Sequence, residues 1–279
     1  MALPVLHLFR NNPRGFETFR GAAWFCRQTG VPLRVHFPTS RHLVLYAGSG
    51  AIQMDLDESY VYEPDLARKR ADRLAQEVGV EWEEQRATGR TGSTLPDIQD
   101  RFSLISCPRA LTSPFAKPLL PAVLGPKVQA LVRAADVPVM LPSTCWIPWD
   151  RVVALYGGSS FGLKALLWAR ALAGLAGVPL QVMTEAEGGA EAEGRERLER
   201  ADLLDEIRPV WRVVEGGFRR VLQEIPRTAL VVLGAFGRNP VRERVLGSRA
   251  HEVLRSVPYN LVLVGPHSQP PGAVLSGDA

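Results

Sequence analysis

Short, uninterrupted apolar runs recur along this chain, separated by longer stretches in which apolar residues return every three or four positions. The first kind of segment reads as a strand covered on both faces, the second as a helix with one buried stripe. Strands are predicted over residues 4–9, 33–37, 81–87, 102–107 and 137–141, then 151–156, 179–184, 209–214, 229–233 and 259–264. Helices are predicted over 16–28, 65–78, 95–100 and 125–135, then 160–176, 191–204, 217–225 and 248–256. Strand and helix alternate throughout, which specifies an α/β architecture with a parallel sheet between helical layers. Ligands of such doubly wound sheets sit beyond the carboxyl ends of the strands.

The order of elements occurs twice, and so do stretches of sequence. GVPLRV at 30–35 returns as GVPLQV at 177–182, and Gly15 and Gly162 share that spacing of 147 residues. LGPKVQALVR at 124–133 matches LGSRAHEVLR at 246–255 at a spacing of 122, and the apolar strands that follow match as well. A unit this long is a duplicated domain, because solenoid repeats are shorter. The chain is therefore expected to form two tandem doubly wound parallel-sheet domains, 1–141 and 151–265. Residues 142–150 (PSTCWIPWD) form the linker, and 266–279 a tail without apolar periodicity, expected to be disordered. The spacing shrinks by 25, so the first copy carries extra residues in its middle. They fall between Thr39 and Asp65, where HLVLY and AIQMD flank Gly48-Ser49-Gly50 as in a hairpin. That hairpin is expected to be a covering element, with a lid or dimer contact as the sharper alternative. Each copy ends in an apolar strand, and exposed edge strands are normally covered. This predicts that the two copies pair in a pseudo-twofold arrangement, with a homodimer as a further option.

Composition narrows the function. No run of 18 apolar residues is present, so no membrane span is expected, and the first residues read as a strand, not a signal peptide. Three distant cysteines without a C-x-x-C pair suit a reducing cytosol and no zinc site, and the five histidines lack ligand spacing. The net charge of +4 is carried almost wholly by arginine, without a basic stripe interleaved with aromatics, so nucleic acid is not an expected partner.

Candidate chemistry concentrates at LGAFGRNPVRERVLGS, residues 233–248. A strand ends at Leu233; Gly234 and Gly237 follow three apart, nine residues intervene, and Gly247-Ser248 opens a helix. Glycines let backbone N–H groups approach an anion without a side chain in the way. The helix start adds unpaired N–H donors and the positive end of its dipole, and Ser248 can cap the helix or give its hydroxyl to a phosphate oxygen. The ending is not the Gly-Lys-[Ser/Thr] of a Walker loop, nor is the pattern G-x-G-x-x-G.

The spacing Gly-x2-Gly-x9-Gly-Ser, with its flanking strands and helix, resembles the universal stress protein family, in particular the branch that holds ATP at this loop. The resemblance implies a Rossmann-like, adenine nucleotide alpha hydrolase-like fold. It also implies a site for ATP, with or without magnesium, at Gly234, Gly237, Arg238, Gly247 and Ser248, with Leu233 leading into the loop. Nucleotide-binding members have an aspartate at the end of the first strand, where this chain has Tyr156. A tyrosine can stack on a base but cannot accept two hydrogen bonds as a carboxylate does. Val182 matches the position that contacts the base, although a core valine is the first reading of that residue even with a ligand present. Of the arginines at 238, 242, 244 and 249, Arg238 is the best phosphate ligand by position. His251, one turn beyond Ser248, reads as a surface histidine.

The first copy departs at this loop. At the spacing of 122, Gly234 falls on Thr112, Gly237 on Phe115 and Ser248 on Pro126; Gly125 alone matches, and Pro114, Pro118 and Pro121 have no N–H to offer. One nucleotide per chain, in the second domain, is the expectation. No nucleophile with a base, metal cluster or carboxylate pair accompanies the loop, and the acidic run 185–206 reads as a solvated helix face. The expected function is thus a cytoplasmic stress-response sensor or regulator that binds a nucleotide and an unidentified protein partner, without turnover, weak ATP hydrolysis aside. Two alternatives are an ATP pyrophosphatase-like adenylating enzyme, from Tyr156-Gly-Gly-Ser-Ser160, and a ligand-free interaction scaffold.

Overall fold

The computed structural model describes residues 2–48, 50–88, 95–109, 111, 124–236, 247–256 and 259–275. The first half runs β1 (Val5–Leu8), α1 (Pro13–Thr29), β2 (Leu33–His36), β3 (His42–Ala47), β4 (Gly50–Asp55), α2 (Pro64–Val78), β5 (Trp82–Glu84), β6 (Asp97–Ile98), β7 (Leu104–Ser106), α3 (Pro126–Ala134) and β8 (Val139–Leu141). The second runs β9 (Arg151–Leu155), α4 (Ser160–Ala176), β10 (Leu180–Glu185), α5 (Ala190–Arg200), α6 (Leu204–Ile207), β11 (Trp211–Val214), α7 (Gly217–Glu224), β12 (Ala229–Gly234), α8 (Ser248–Ser256), β13 (Asn260–Val264) and α9 (Pro271–Leu275).

Ten strands form one sheet in the order β11-β10-β9-β12-β13-β8-β7-β1-β2-β5. Read from each outer edge inward, both halves have their third, second, first, fourth and fifth sheet strands in the same order. Every pair is parallel except β13 with β8, which is antiparallel, with Val262 opposite Met140. The final strands therefore cover each other, as their apolar sequences demand. Central strands such as β1 and β13 are buried at every position, which is why they read as continuous apolar runs.

α1 and α4 match at the spacing of 147. Asn12 Oδ1 accepts from Gly15 N at 2.7 Å and Ser159 Oγ from Gly162 N at 3.0 Å, and each helix ends in a left-handed glycine, Gly30 or Gly177. The halves are laced across their junction. Trp24 Nε1 donates to Trp149 O at 3.2 Å, and Asn260 Oδ1 accepts from Ser143 N at 3.0 Å. Arg109 donates to Leu254 O and Tyr259 O at 2.9 and 3.3 Å, beside the carboxyl end of α8, where a cation is favoured.

Three expectations are corrected. Residues 95–100 do not form a helix. Asp97–Ile98 pairs with β3 of the inserted hairpin, giving a second sheet in the order β4-β3-β6 that packs on α3. In the second half, α7 packs on α8 instead. The predicted helix over 191–204 is interrupted after Arg200 at a turn where Asp202 has φ of 55°. Residues 266–275 of the tail are ordered. Gln269 N donates to Asp136 O at 2.7 Å, Trp168 Nε1 to Gln269 O at 2.9 Å, Lys164 Nζ to Pro266 O at 2.7 Å and Leu3 N to Val274 O at 3.3 Å. Specific bonds, not periodicity, hold this segment, so apolar spacing could not reveal it. No helix among the described residues is long and apolar enough to cross a membrane.

Candidate functional site

β12 places Leu233 in the core, 3% exposed and paired between Leu155 and Leu263. Gly234 ends the strand. A Cβ there would stand 2.9 Å from Phe161 O and 3.0 Å from its carbonyl carbon, so the glycine lets the first turn of α4 close onto the strand end. Ala235 N then donates to Val264 O at 3.0 Å, and Gly247 N donates to Ala235 O at 2.9 Å. This last bond brings the start of α8 back to the end of β12. Ser248 is exposed at the first position of α8, where helix geometry leaves the first N–H groups without intrahelical partners. Gly237 and Arg238, with Arg242 and Arg244, lie outside the described residues.

The same closure occurs in the first half, where Gly125 N donates to Arg109 O at 2.9 Å. Strand pairing sets Leu104 beside Val5 as Leu230 lies beside Val152, so Gly234 corresponds to Pro108 and Ala235 to Arg109. The expected match of Gly234 with Thr112 is therefore replaced by one with Pro108, while Gly247 with Gly125 stands; the match of Gly237 with Phe115 lies outside the described residues. The spacing falls from 126 to 122 across the loop, so the first loop is the longer by four residues.

The side chains of Tyr156 and Val182 are both buried. Val182 is fully buried in the body of β10, which continues to Glu185. The Tyr156 ring, 1% exposed, turns under α5: its hydroxyl donates to Gly194 O at 3.1 Å and its ring meets Trp211 edge-on. Burial pushes its phenol up to about 12. Thr184 Oγ1 donates to Tyr156 O and accepts from Trp211 Nε1, both at 2.7 Å. α5 is pressed onto the β9–α4 turn, since a Cβ on Gly158 would lie 2.8 Å from Gly194 N, and Arg197 Nε donates to Gly158 O at 2.7 Å. Protein atoms thus fill the space beside the ends of β9 and β10. The strand is buried on both faces, so alternation along the sequence carried no signal for the side to which Tyr156 turns.

One residue at this end was missed. Glu185, assigned by its sequence to an acidic helix face, is the last residue of β10, and its side chain is 14% exposed. It pairs with Arg249 of α8, whose guanidinium lies 4.5 Å from the centre of the Phe218 ring and 3.6 Å from Glu252. Arg249 is therefore tethered beside the end of β10 while its side chain stays 52% exposed. His251 is half-buried one turn further on. Among the described residues, no three His, Cys, Asp or Glu side chains are grouped as metal ligands. A cavity of about 570 Å3 lies elsewhere, between the hairpin turn at Tyr46–Gly48, Arg101, Asp136 and the tail residue His267, and none of the expected site residues lines it.

No protein-family model and no curated protein matches the sequence. Solved structures do match in shape. A universal stress protein from Archaeoglobus fulgidus DSM 4304 covers 94% of this chain and 98% of its own at a TM-score of 0.57 and 16% identity. The chain has the universal stress protein fold. A putative universal stress protein from Pseudomonas aeruginosa UCBPP-PA14 matches over 95% of this chain and 94% of its own, with 18% identity and a TM-score of 0.57. The cytoplasmic domain of a prokaryotic cation chloride cotransporter also matches over 99% of this chain and its own whole length, with 15% identity and a TM-score of 0.50. In this chain the fold brings Leu233, Gly234, Gly247 and Ser248 to one end of β12, and places Val182 and the Tyr156 ring in the core.

Proposed function

We propose that the chain is a tandem universal stress-type protein, with domains 1–141 and 151–265, that binds one nucleotide by its phosphates at the second domain. The observation that carries this reading is the bond from Gly247 N to Ala235 O, which sets the amino end of α8 against the glycine end of β12. Phosphate would accept from the first N–H groups of α8 and from Ser248, and would draw Arg249 away from Glu185. Tyr156 contributes to packing and not to base recognition, so ATP and GTP should bind within about tenfold of each other; strong rejection requires polar groups left unpaired by the wrong base. The reading is of binding without turnover, in a stress-response regulator of the cytoplasm.

Nucleotide copurifying with the protein, released by denaturation and separated by chromatography, tests the proposal, followed by calorimetry with ATP. One site per chain is expected. Gly237→Val should weaken binding at least about tenfold, roughly 1.4 kcal/mol. Two equivalent sites, or unchanged affinity in a folded variant, would overturn it. The packing of Tyr156, Trp211 and α5 favours a second reading, a ligand-free scaffold that contacts partners through its surface. Absence of nucleotide from the purified protein together with absence of ATP binding would select it.

A further inference from the structure

The crevice at the carboxyl ends of the first half's strands is not open. Phe9 and Arg10 follow β1 as Tyr156 and Gly157 follow β9, and the insertion, after its hairpin, crosses this point. Arg10 forms an ion pair with Asp57, the two side chains being 14% and 7% exposed. Its Nε donates to Ser59 Oγ at 2.6 Å, and its guanidinium lies 5.2 Å from the centre of the Tyr60 ring. The segment is bonded to both walls: Asn11 N donates to Ser59 O at 3.0 Å, and Asp57 N donates to Leu111 O at 3.2 Å, beyond β7. Asp57 Oδ1 also accepts from Ser59 N at 2.9 Å, tightening the turn that carries the carboxylate. Tyr60 is 3% exposed. Its hydroxyl and Asn11 Oδ1 are both buried without a hydrogen-bond partner, so the fit of segment to crevice leaves polar capacity unused.

We propose that this crevice is a binding site for a small oxyanion, and that the chain fills it with its own Asp57. The positive element at this point is the Arg10 guanidinium, which stands three residues before the 17-residue α1. A carboxylate, with an aromatic ring on the same guanidinium, occupies it. Among the described residues, the corresponding turn of the second half carries Gly157 at the position of Arg10, and α5 lies against it. By this account the first half fails to take an external anion because its site is already occupied. The proposal rests on the fold and on these contacts, not on nucleotide binding by the second half.

The test uses the full chain, with inorganic phosphate as the probe. Asp57→Asn strands a buried guanidinium and should lower the folding equilibrium constant by about 100-fold. Phosphate should then restore stability in a saturable manner, read as a rise in Tm, beyond that seen with equal ionic strength of chloride. Arg10→Met/Asp57→Asn keeps the second half's cradle but lacks the guanidinium, so it should unfold less readily than Asp57→Asn alone and show no additional phosphate effect beyond wild type. If Asp57→Asn does not fold in chloride, refolding on addition of phosphate is the expected result. A phosphate response equal in Asp57→Asn and the double variant, or failure to refold in phosphate, would overturn the proposal.

Discussion

Replacing Gly234 with alanine separates two roles that a glycine can have at the end of β12. In the ligand-bound reading it keeps side-chain atoms away from phosphate. In the structure it also keeps a Cβ out of α4, since that atom would stand 2.9 Å from Phe161 O and 3.0 Å from Phe161 C. Carbon atoms in ordinary contact are about 3.5–4.0 Å apart, so α4 must retreat by roughly half an ångström. Neither side yields easily. The obstructing atoms are helix backbone, the turn is pinned by Ser159 capping Gly162 N at 3.0 Å, and Gly234 is paired in the sheet with Val264. An added methyl at such a contact costs about 1–3 kcal/mol. At about 2–4 °C per kcal/mol for a chain of this order of size, the Tm of Gly234→Ala should fall by about 2–12 °C in the absence of nucleotide. Thermal unfolding followed by circular dichroism measures this. A nucleotide-free Tm within about 1 °C of wild type would refute the packing argument, whereas a glycine needed for phosphate alone predicts lost affinity and unchanged Tm.

Tyr156→Phe removes the bond to Gly194 O and should cost about 1 kcal/mol in urea unfolding without moving the ATP-to-GTP ratio; a changed ratio would return the ring to the ligand. Tyr156→Asp puts a carboxyl group in a cavity left by a ring and should cost at least about 3 kcal/mol, so a stable Tyr156→Asp would contradict the burial described. Burial pushes the His7 imidazole down to about 3 and lowers His36 as well, so the unfolded chain binds more protons below pH 6.5 and stability should fall as pH drops from 6.5 towards 3. His7→Asn should flatten that slope by up to about 1.4 kcal/mol per pH unit in urea titrations at pH 5 and 6.5, and an unchanged slope would refute it. Deleting residues 266–279 removes the bonds to Asp136, Lys164, Trp168 and Leu3 together with buried Val274, a loss of about 3 kcal/mol. Calorimetry showing no fall in Tm would mean that the tail is not docked in solution.

Strand positions were legible because both faces of the large sheet are covered, which leaves long apolar runs unlike the polar stretches between them. The duplicated helices were legible from local chemistry: a capping side chain at Asn12 or Ser159 and a glycine at each carboxyl end. What the sequence concealed depends on long-range contacts. Asp97 and Ile98 are extended only because Val44 and Leu45 of the insertion lie beside them. The register of the first loop was misjudged because its four extra residues precede Gly125, beyond the reach of a single fixed spacing. The end of β12 and the start of α8 were legible at Gly234, Gly247 and Ser248, whose backbone roles follow from residue type. Glu185 escaped because a strand end and the start of an acidic run look alike in sequence.

The antiparallel junction of β13 with β8 has a consequence for how the halves can differ. Because strands on its two sides run in opposite directions, the carboxyl-end crevices of the two halves open at opposite ends of the strands. The amino end of α8 and the Asp57 turn at Arg10 therefore face opposite ends of the sheet, and a change in one crevice need not disturb the other. The hairpin occupies on α3 the kind of place that α7 takes on α8, and its continuation is what reaches Arg10. A single insertion between β2 and α2 thus supplies both the replacement layer and the occupant of the crevice. Substitution at the ion pair of Arg10 with Asp57 therefore tests whether this one segment is what keeps the first crevice filled.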